Sequence, residues 1–594
     1  MRRWLYVSVL SLAMIAGLLF IINFSKSGQA KASDTPGAKA ESKTRAQAQL
    51  RINVVPVGPT EEAMAAVRNE IPARAAVQKY LRGTNSRLLS FGLLETDAKA
   101  GARSATAPIR YLAMFYDYTN NRTVRIEGNY DAAGAEKFSV SNEQPPPSDE
   151  EFEDALAVIE QDQVLGAALR AGELKPYRPM PPVLYPERAG ERVERTVYVG
   201  LGQGDGKGFS NEVVGVNMTR RKMTRYKDGA PPTSLATPDA CGISSASQTS
   251  TSNGTAGQYQ FTVMDANNAV LWEFLALRPS ASSGNSSERS GIELRDVKYR
   301  GKSVLKRIHA PVLNVKYDND ACGPFRDWQY QEGMFQATGT DLPGSNGGLR
   351  DCGTNVATTA LDSGNDTGNF KGVAFYQQDG EVVLVTEMNA GWYRYICEYR
   401  LAADGTIRPR YGYGATANSC VCLAHTHHVY WRMDFDIDTP DNNEVLPLSN
   451  RGIFNARPYS TETKLYRNAS RPSNWLIRNT VTGDGYILAQ NLNDGHAGPS
   501  PDYGRGDVWI LKFQGTAAAP TELDDPGTGS AANIDAWVTG ESLKQDVVIW
   551  YAGHYYHNDG GNGIEHERSR PDEFTPGIIS GTHVQGPDII PYRW

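Results

Sequence analysis

Three of the nine histidines in this 594-residue chain lie within four positions, in the run Leu423-Ala424-His425-Thr426-His427-His428. The stretch that follows, Val429-Tyr430-Trp431-Arg432-Met433-Asp434-Phe435-Asp436-Ile437-Asp438, alternates between apolar and polar side chains. Such a run reads as a β-strand, in which residues i and i+2 share a face. His425 and His427 then present two imidazoles in one direction, with Val429, Trp431, Met433, Phe435 and Ile437 behind them. Thr426, His428, Tyr430, Arg432, Asp434, Asp436 and Asp438 take the opposite face, where the aspartates form an outward carboxylate row. A third imidazole is available in the apolar run Asp546 to His557, which carries both His554 and His557. Imidazole is a borderline ligand, so three of them suit copper or zinc. The chain contains no His-Glu-x-x-His, and a zincin protease is not indicated.

The elements that must position these groups are mostly strands. Glycine and tyrosine are abundant, at 58 and 29 residues. From about residue 235 onward, short alternating runs follow one another, separated by Gly, Asn, Asp and Ser, among them Gly257 to Met264, Val270 to Leu275, Gly372 to Tyr376, Glu381 to Thr386 and Tyr393 to Leu401. The pattern predicts a large β-sandwich over 235–594, with a mobile Ser/Gly/Asn-rich loop at 243–256. Two small α+β domains precede it. In the first, 51–145, a helix opens after Thr60, and strands at Ile109 to Tyr118 and Arg122 to Asn129 meet at the turn pair Asn120-Asn121. The second, 146–234, opens on Pro145-Pro146-Pro147. Ser148 and Glu151 form a capping box there, ahead of the stripe Phe152, Leu156 and Ile159. Strands at Arg195 to Gly200 and Glu212 to Thr219 complete it. The fold class expected is mainly β, with a large sandwich behind two α+β domains.

Formal net charge is −7, with 60 basic and 67 acidic residues and no long basic run, so nucleic-acid binding is not suggested. Met1-Arg2-Arg3 precedes an apolar stretch from Trp4 to Phe24, long enough to span a bilayer. We read 1–24 as a signal anchor or a signal peptide, with the anchor preferred, and 25–50 as a linker. Either way the bulk of the chain is exported, anchored facing the periplasm or extracellular space, or secreted if cleaved. Export permits disulfides. Cys322 with Cys352 is a plausible local pair, and Cys420-Val421-Cys422 places two thiols on one strand face.

Taken together, the two α+β domains, the large β domain and the distant histidines resemble the copper amine oxidases, which make a topaquinone cofactor from one of their own tyrosines. The resemblance spans roughly 50–560. It is clearest from about 290 to 560, where Gly291-Ile292-Glu293-Leu294-Arg295-Asp296-Val297-Lys298-Tyr299, Val304 to Ile308 and Val315 to Asp318 look like the entry to that family's catalytic domain. It implies copper on His425, His427 and His557, the last following Trp550 and Gly553. It implies a peripheral calcium on Asp434, Asp436 and Asp546, whose hard carboxylates suit that ion. The quinone precursor falls on Tyr393, in Asn389-Ala390-Gly391-Trp392-Tyr393-Arg394-Tyr395. Trp392 stands where the family has Asn, Arg394 where it has an acid, and Asn389 where it has Thr. By alternation Tyr393, Tyr395, Cys397 and Tyr399 face inward, while Arg394, Glu398 and Arg400 share a wet face. The catalytic base falls on Asp327, in Phe325-Arg326-Asp327-Trp328, with Asp318 and Asp320 as competitors. Tyr317 falls on the tyrosine that hydrogen-bonds the quinone.

The activity implied is oxidative deamination of a primary amine by dioxygen to an aldehyde, with release of ammonia and hydrogen peroxide. Asp327 would remove the substrate α-proton, and the β-sandwiches would pair as a homodimer. The alternative is an exported copper-binding protein of the same fold, acting in binding or as a scaffold without quinone chemistry.

Overall fold

The computed structural model describes residues 50–594 apart from 95–109, 131, 142–144, 146, 180–193, 204–211, 227–256, 283–288, 318–324, 327–328, 330, 346, 417–420, 422–424, 449–455, 468–472, 492–493, 496–505, 514–532, 544–545 and 558–583. The anchor segment 1–24, residues 25–49 of the linker, the loop 243–256, Asp318, Asp320, Asp327, Cys241, Cys322, Cys420 and Cys422 lie outside the described residues. Among the described residues no helix is long and apolar enough to cross a membrane.

Six strands position the site: β1 (Lys302–Tyr317), β2 (Glu381–Ala390), β3 (Tyr393–Ala402), β4 (Ile407–Ala415), β5 (His425–Phe435) and β6 (Val547–His557). Strands β1, β5 and β6 are neighbours in a ten-stranded sheet. Strands β2, β3 and β4 are neighbours in an eleven-stranded sheet. Both trios are antiparallel, and the inner faces of the two sheets bury one continuous core. Leu294, Ile308, Trp431, Met433 and Ile549 come from the first sheet, and Leu384, Tyr395, Tyr399 and Tyr411 from the second. The fold is mainly β, as the alternating runs indicate.

Arg51–Val57 is the edge strand of the ten-stranded sheet, paired along its length with Gln258–Met264. It therefore belongs to the large sandwich and not, as its position in sequence suggests, to the first small domain. The partner that claims it lies some 200 residues away, so its own sequence could not reveal the pairing. Behind it, each small unit has two helices and a four-stranded sheet. The two units meet at a buried node, where the Arg195 Nε bonds Glu151 at 3.1 Å and its guanidinium lies over the Tyr116 ring. The Tyr118 hydroxyl donates to the same carboxylate. The capping box is therefore half formed. Ser148 Oγ accepts from the Glu151 amide at 3.2 Å, but the Glu151 side chain is taken by Arg195 and Tyr118.

Both outer faces of the sandwich are covered. On the first sheet, Tyr430, Val548 and Trp550 lie beneath Ile534, with Trp537 packed against them. On the second, Phe335, Ala337, Cys352, Ala357 and Phe370 from the segment 331–372 pack on Tyr376, Val383, Val385 and Ile396. That segment contains one short helix, α1 (Ala360–Ser363). Cys352 and Cys397 are free, buried thiols, and Cys322, the partner considered for Cys352, lies outside the described residues.

Candidate metal and cofactor centre

Strand β5 carries His425 and His427 into the core between the sheets, where they are 0% and 1% exposed. Their rings stand nearly perpendicular, with centroids 4.8 Å apart. Pairing between strands then builds a row. Tyr317 on β1 and His557 on β6 are both the register partners of His425. Three residues singled out in sequence thus fall side by side on neighbouring strands, although 132 positions separate His425 from His557.

Tyr393 arrives from the opposite sheet. Strands β2 and β3 form a hairpin in which Ala390 pairs with Tyr393, leaving Gly391 and Trp392 as a two-residue loop. Gly391 takes φ +59°, the left-handed value that a primed hairpin turn requires at its first position. Tyr393 is the first residue of β3 and is fully buried. Its hydroxyl is hydrogen-bonded to Nε2 of His425 at 2.8 Å. Its ring stacks on Tyr395 at 5.2 Å and stands perpendicular to His427 at 4.7 Å between centroids.

The alternation of β3 holds on the inner side, since Tyr393, Tyr395, Cys397 and Tyr399 all lie in the main core. The other side departs from expectation. Arg394, Glu398 and Arg400 are not wet but 2%, 3% and 1% exposed, under the covering segment. Each charge has a partner there: Arg394 pairs with Asp366, and Arg400 with Glu398 and Glu381. The first two aspartates of the carboxylate row are likewise covered, while Asp438 is half-buried. Asp434 and Asp436 are 2% and 5% exposed. One carboxylate oxygen from each of Asp434, Asp436 and Asp546 lies within 4.8 Å of the others. Arg432 approaches Asp434 at 3.5 Å.

His428 points to the outer side of its sheet, where its Nδ1 is 2.7 Å from Nδ1 of His554. His554 is held at its other nitrogen by the Gly506 carbonyl at 3.1 Å and Asp507 at 3.2 Å. Burial pushes this imidazole below its usual range, against the opposing bond from Asp507. Of the two histidines in the apolar run, His554 pairs with His428 on the far face, and His557 is in backbone register with His425.

Sequence reasoning missed the aromatic wall around the histidines. Tyr413 stacks on His427 at 4.3 Å, and its hydroxyl donates to Gln585 at 2.8 Å. Tyr411 donates to Gln329 at 2.6 Å. The alternation Tyr411-Gly412-Tyr413-Gly414 carries that signal. Gly553 leaves the room that Gln585 needs, since a Cβ there would lie 2.9 Å from the Gln585 amide oxygen.

This architecture is that of the copper amine oxidases. Among solved structures, the chain is similar to a copper-containing benzylamine oxidase from Hansenula polymorpha, at 10% identity and TM-score 0.57, covering 90% of this chain and 97% of that one. A lysyl oxidase from Pichia pastoris matches at 11% identity and TM-score 0.54, over 95% of this chain and 92% of that one. An amine oxidase from Aspergillus nidulans matches at 12% identity and TM-score 0.52, over 94% and 90%. No family model matches the chain, and no curated protein matches it in sequence.

Proposed function

We propose that this chain is an exported, copper-dependent oxidase that deaminates primary amines to aldehydes, with a topaquinone made from Tyr393. The observation that carries the reading is the 2.8 Å bond between the Tyr393 hydroxyl and His425 Nε2, made across the two sheets of a copper amine oxidase fold. His425 and His427, with His557 in register beside them, are the residues that would hold copper. The donor set fits, because two imidazoles shielded from water by the core are ligands divalent copper favours. Copper bound there supplies one-electron redox chemistry and dioxygen activation.

The chain's own residues do the rest. Tyr395 stacks on the Tyr393 ring and His427 stands perpendicular to it, and together they fix its place. Burial of this group keeps bulk water from the reacting ring. Asp327 is assigned removal of the substrate α-proton, a task that requires a carboxylate within hydrogen-bond reach and a pKa suited to accepting that proton. Tyr317, in register with His425, is assigned the hydrogen bond that orients the cofactor. Asp434, Asp436 and Asp546 are assigned calcium. We further propose a homodimer held at the membrane by 1–24. The substrate class is a primary amine, as the names of the benzylamine and lysyl oxidases among the neighbours support.

The test is carbonyl labelling. Copper-loaded, aerobic protein is expected to absorb visible light and to form a phenylhydrazine adduct that mass spectrometry locates on Tyr393 and not on Tyr395. A colourless, copper-loaded protein with an unmodified Tyr393 sinks the reading. It would favour the second one, a copper-binding protein of this fold without quinone chemistry. The complete burial of Tyr393, between residues that depart from the family pattern, speaks for that alternative.

A further inference from the structure

Arg394 occupies the position at which the family pattern calls for an acid, directly after Tyr393. Its side chain does not crowd the tyrosine, because it leaves the opposite face of β3. There its guanidinium is divided between two tasks. Nε and Nη2 bind both carboxylate oxygens of Asp366, at 2.6 and 3.0 Å, in the bidentate geometry that makes such pairs strong and directional. Nη1 is left to reach the backbone, at 3.1 Å from the Tyr393 carbonyl and 3.4 Å from that of Gly391. The remaining carbonyl of the turn, that of Trp392, accepts from the Thr416 amide at 2.7 Å and from its hydroxyl at 3.1 Å. All three carbonyls from Gly391 to Tyr393 are thus held from outside the β2–β3 ladder.

Asp366 is itself 0% exposed and lies in the covering segment, just past α1. A buried, paired arginine cannot rotate freely without stranding its charge. The carboxylate therefore fixes the guanidinium plane and, with it, the direction of Nη1.

We propose that Asp366 is a positioning residue. It aims Arg394 so that Nη1 clamps the Gly391 and Tyr393 carbonyls, fixing the start of β3 and hence the direction in which the Tyr393 ring points at His425. The consequence for cofactor formation rests on the function proposed above; the clamp itself does not.

The test uses hydrogen–deuterium exchange of the copper-free full chain, following peptides over 389–395 with 407–415 as internal reference. Asp366→Asn is expected to speed exchange over 389–395 by about tenfold or more, the change that loss of one charge-assisted hydrogen bond produces, with the reference unchanged. The charge swap Asp366→Arg with Arg394→Asp separates positioning from simple neutralisation. It restores a neutral pair but leaves the two carbonyls without their donor. The swap is expected to recover the melting midpoint while 389–395 stays fast. Recovery of both, or unchanged exchange in Asp366→Asn, overturns the proposal. Should Asp366→Asn not fold, Asp366→Glu keeps the charge and shifts the fork by one methylene. Faster exchange at an unchanged midpoint supports the clamp, and unchanged exchange overturns it. When copper is added in air, Asp366→Asn is expected to bind as much copper as the parent chain and to develop visible absorbance more slowly. A colourless parent chain sinks the quinone reading and leaves the clamp to be judged by exchange.

Discussion

The two faces of β3 are equally dry and chemically opposite. On one side, Tyr393 and Tyr395 meet the histidines of the facing sheet, and Cys397 and Tyr399 continue the row into the core without a formal charge among them. On the other, Arg394, Glu398 and Arg400 lie under the segment 331–372, each matched by an opposite charge. The uncharged face can deliver a phenol and two imidazoles to one point. The charged face does no chemistry in this reading, and its ion pairs hold the hairpin in register and in place. A face rich in charge is therefore no guide to solvent when another segment brings counter-charges of its own.

The largest break in this contrast comes from the uncharged face. Tyr393→Phe should abolish both colour and phenylhydrazine adduct while copper stays bound, because the imidazoles are carried by the facing sheet. Elemental analysis beside mass spectrometry checks this, and His427→Ala should give the reverse, loss of copper itself. On the charged face, Arg400→Met should destabilise the metal-free chain by about 3–5 kcal/mol in denaturant titration, since it strands Glu398 in the interior, while Glu381 keeps Arg408. An effect below about 1 kcal/mol, the value of an exposed pair, would mean that this face is wet after all.

A pH series sharpens the same comparison. Burial pushes Glu387, on the charged side of β2, up to about 8, against the bond from the Ala360 amide and the nearby Arg394. Its folded pKa lies above its unfolded one, so the folded state holds a proton that the unfolded chain gives up. Stability is then fully present below about 4.5 and falls as pH rises toward 8, by on the order of 5 kcal/mol. Glu387→Gln should flatten the decline of the melting midpoint between pH 5 and 8, and an unaltered slope would assign the decline to other groups. The smallest effect belongs to the aspartate trio on the far side of the first sheet. A calcium-selective chelator should lower the midpoint by about 1–3 °C without removing copper. Asp436→Asn should make the chain insensitive to the chelator.

Much of this was legible in the linear chain. Alternation placed His425 and His427 on one face and His428 on the other, and it placed Tyr393, Tyr395, Cys397 and Tyr399 together. The helix start at Thr60 and the turn pair Asn120-Asn121 were readable from local chemistry alone, and the observed helix Glu61–Glu70 and strands Arg110–Asp117 and Arg122–Asn129 follow them. These features depend on bonded geometry and on neighbours a few positions away, which the sequence specifies directly.

Tertiary structure decided the rest. The row Tyr317, His425, His557 depends on the register of three strands distant in sequence, and a slip of one residue would turn every side chain to the other face. Arg51–Val57 joined the large sheet because its partner is Gln258–Met264. The dryness of Arg394, Glu398 and Arg400 was set by a covering segment that supplies Asp366 and by the neighbouring strand that supplies Glu381. The period of a strand assigns each side chain to a face. Whether that face meets water depends on what the remainder of the chain lays over it.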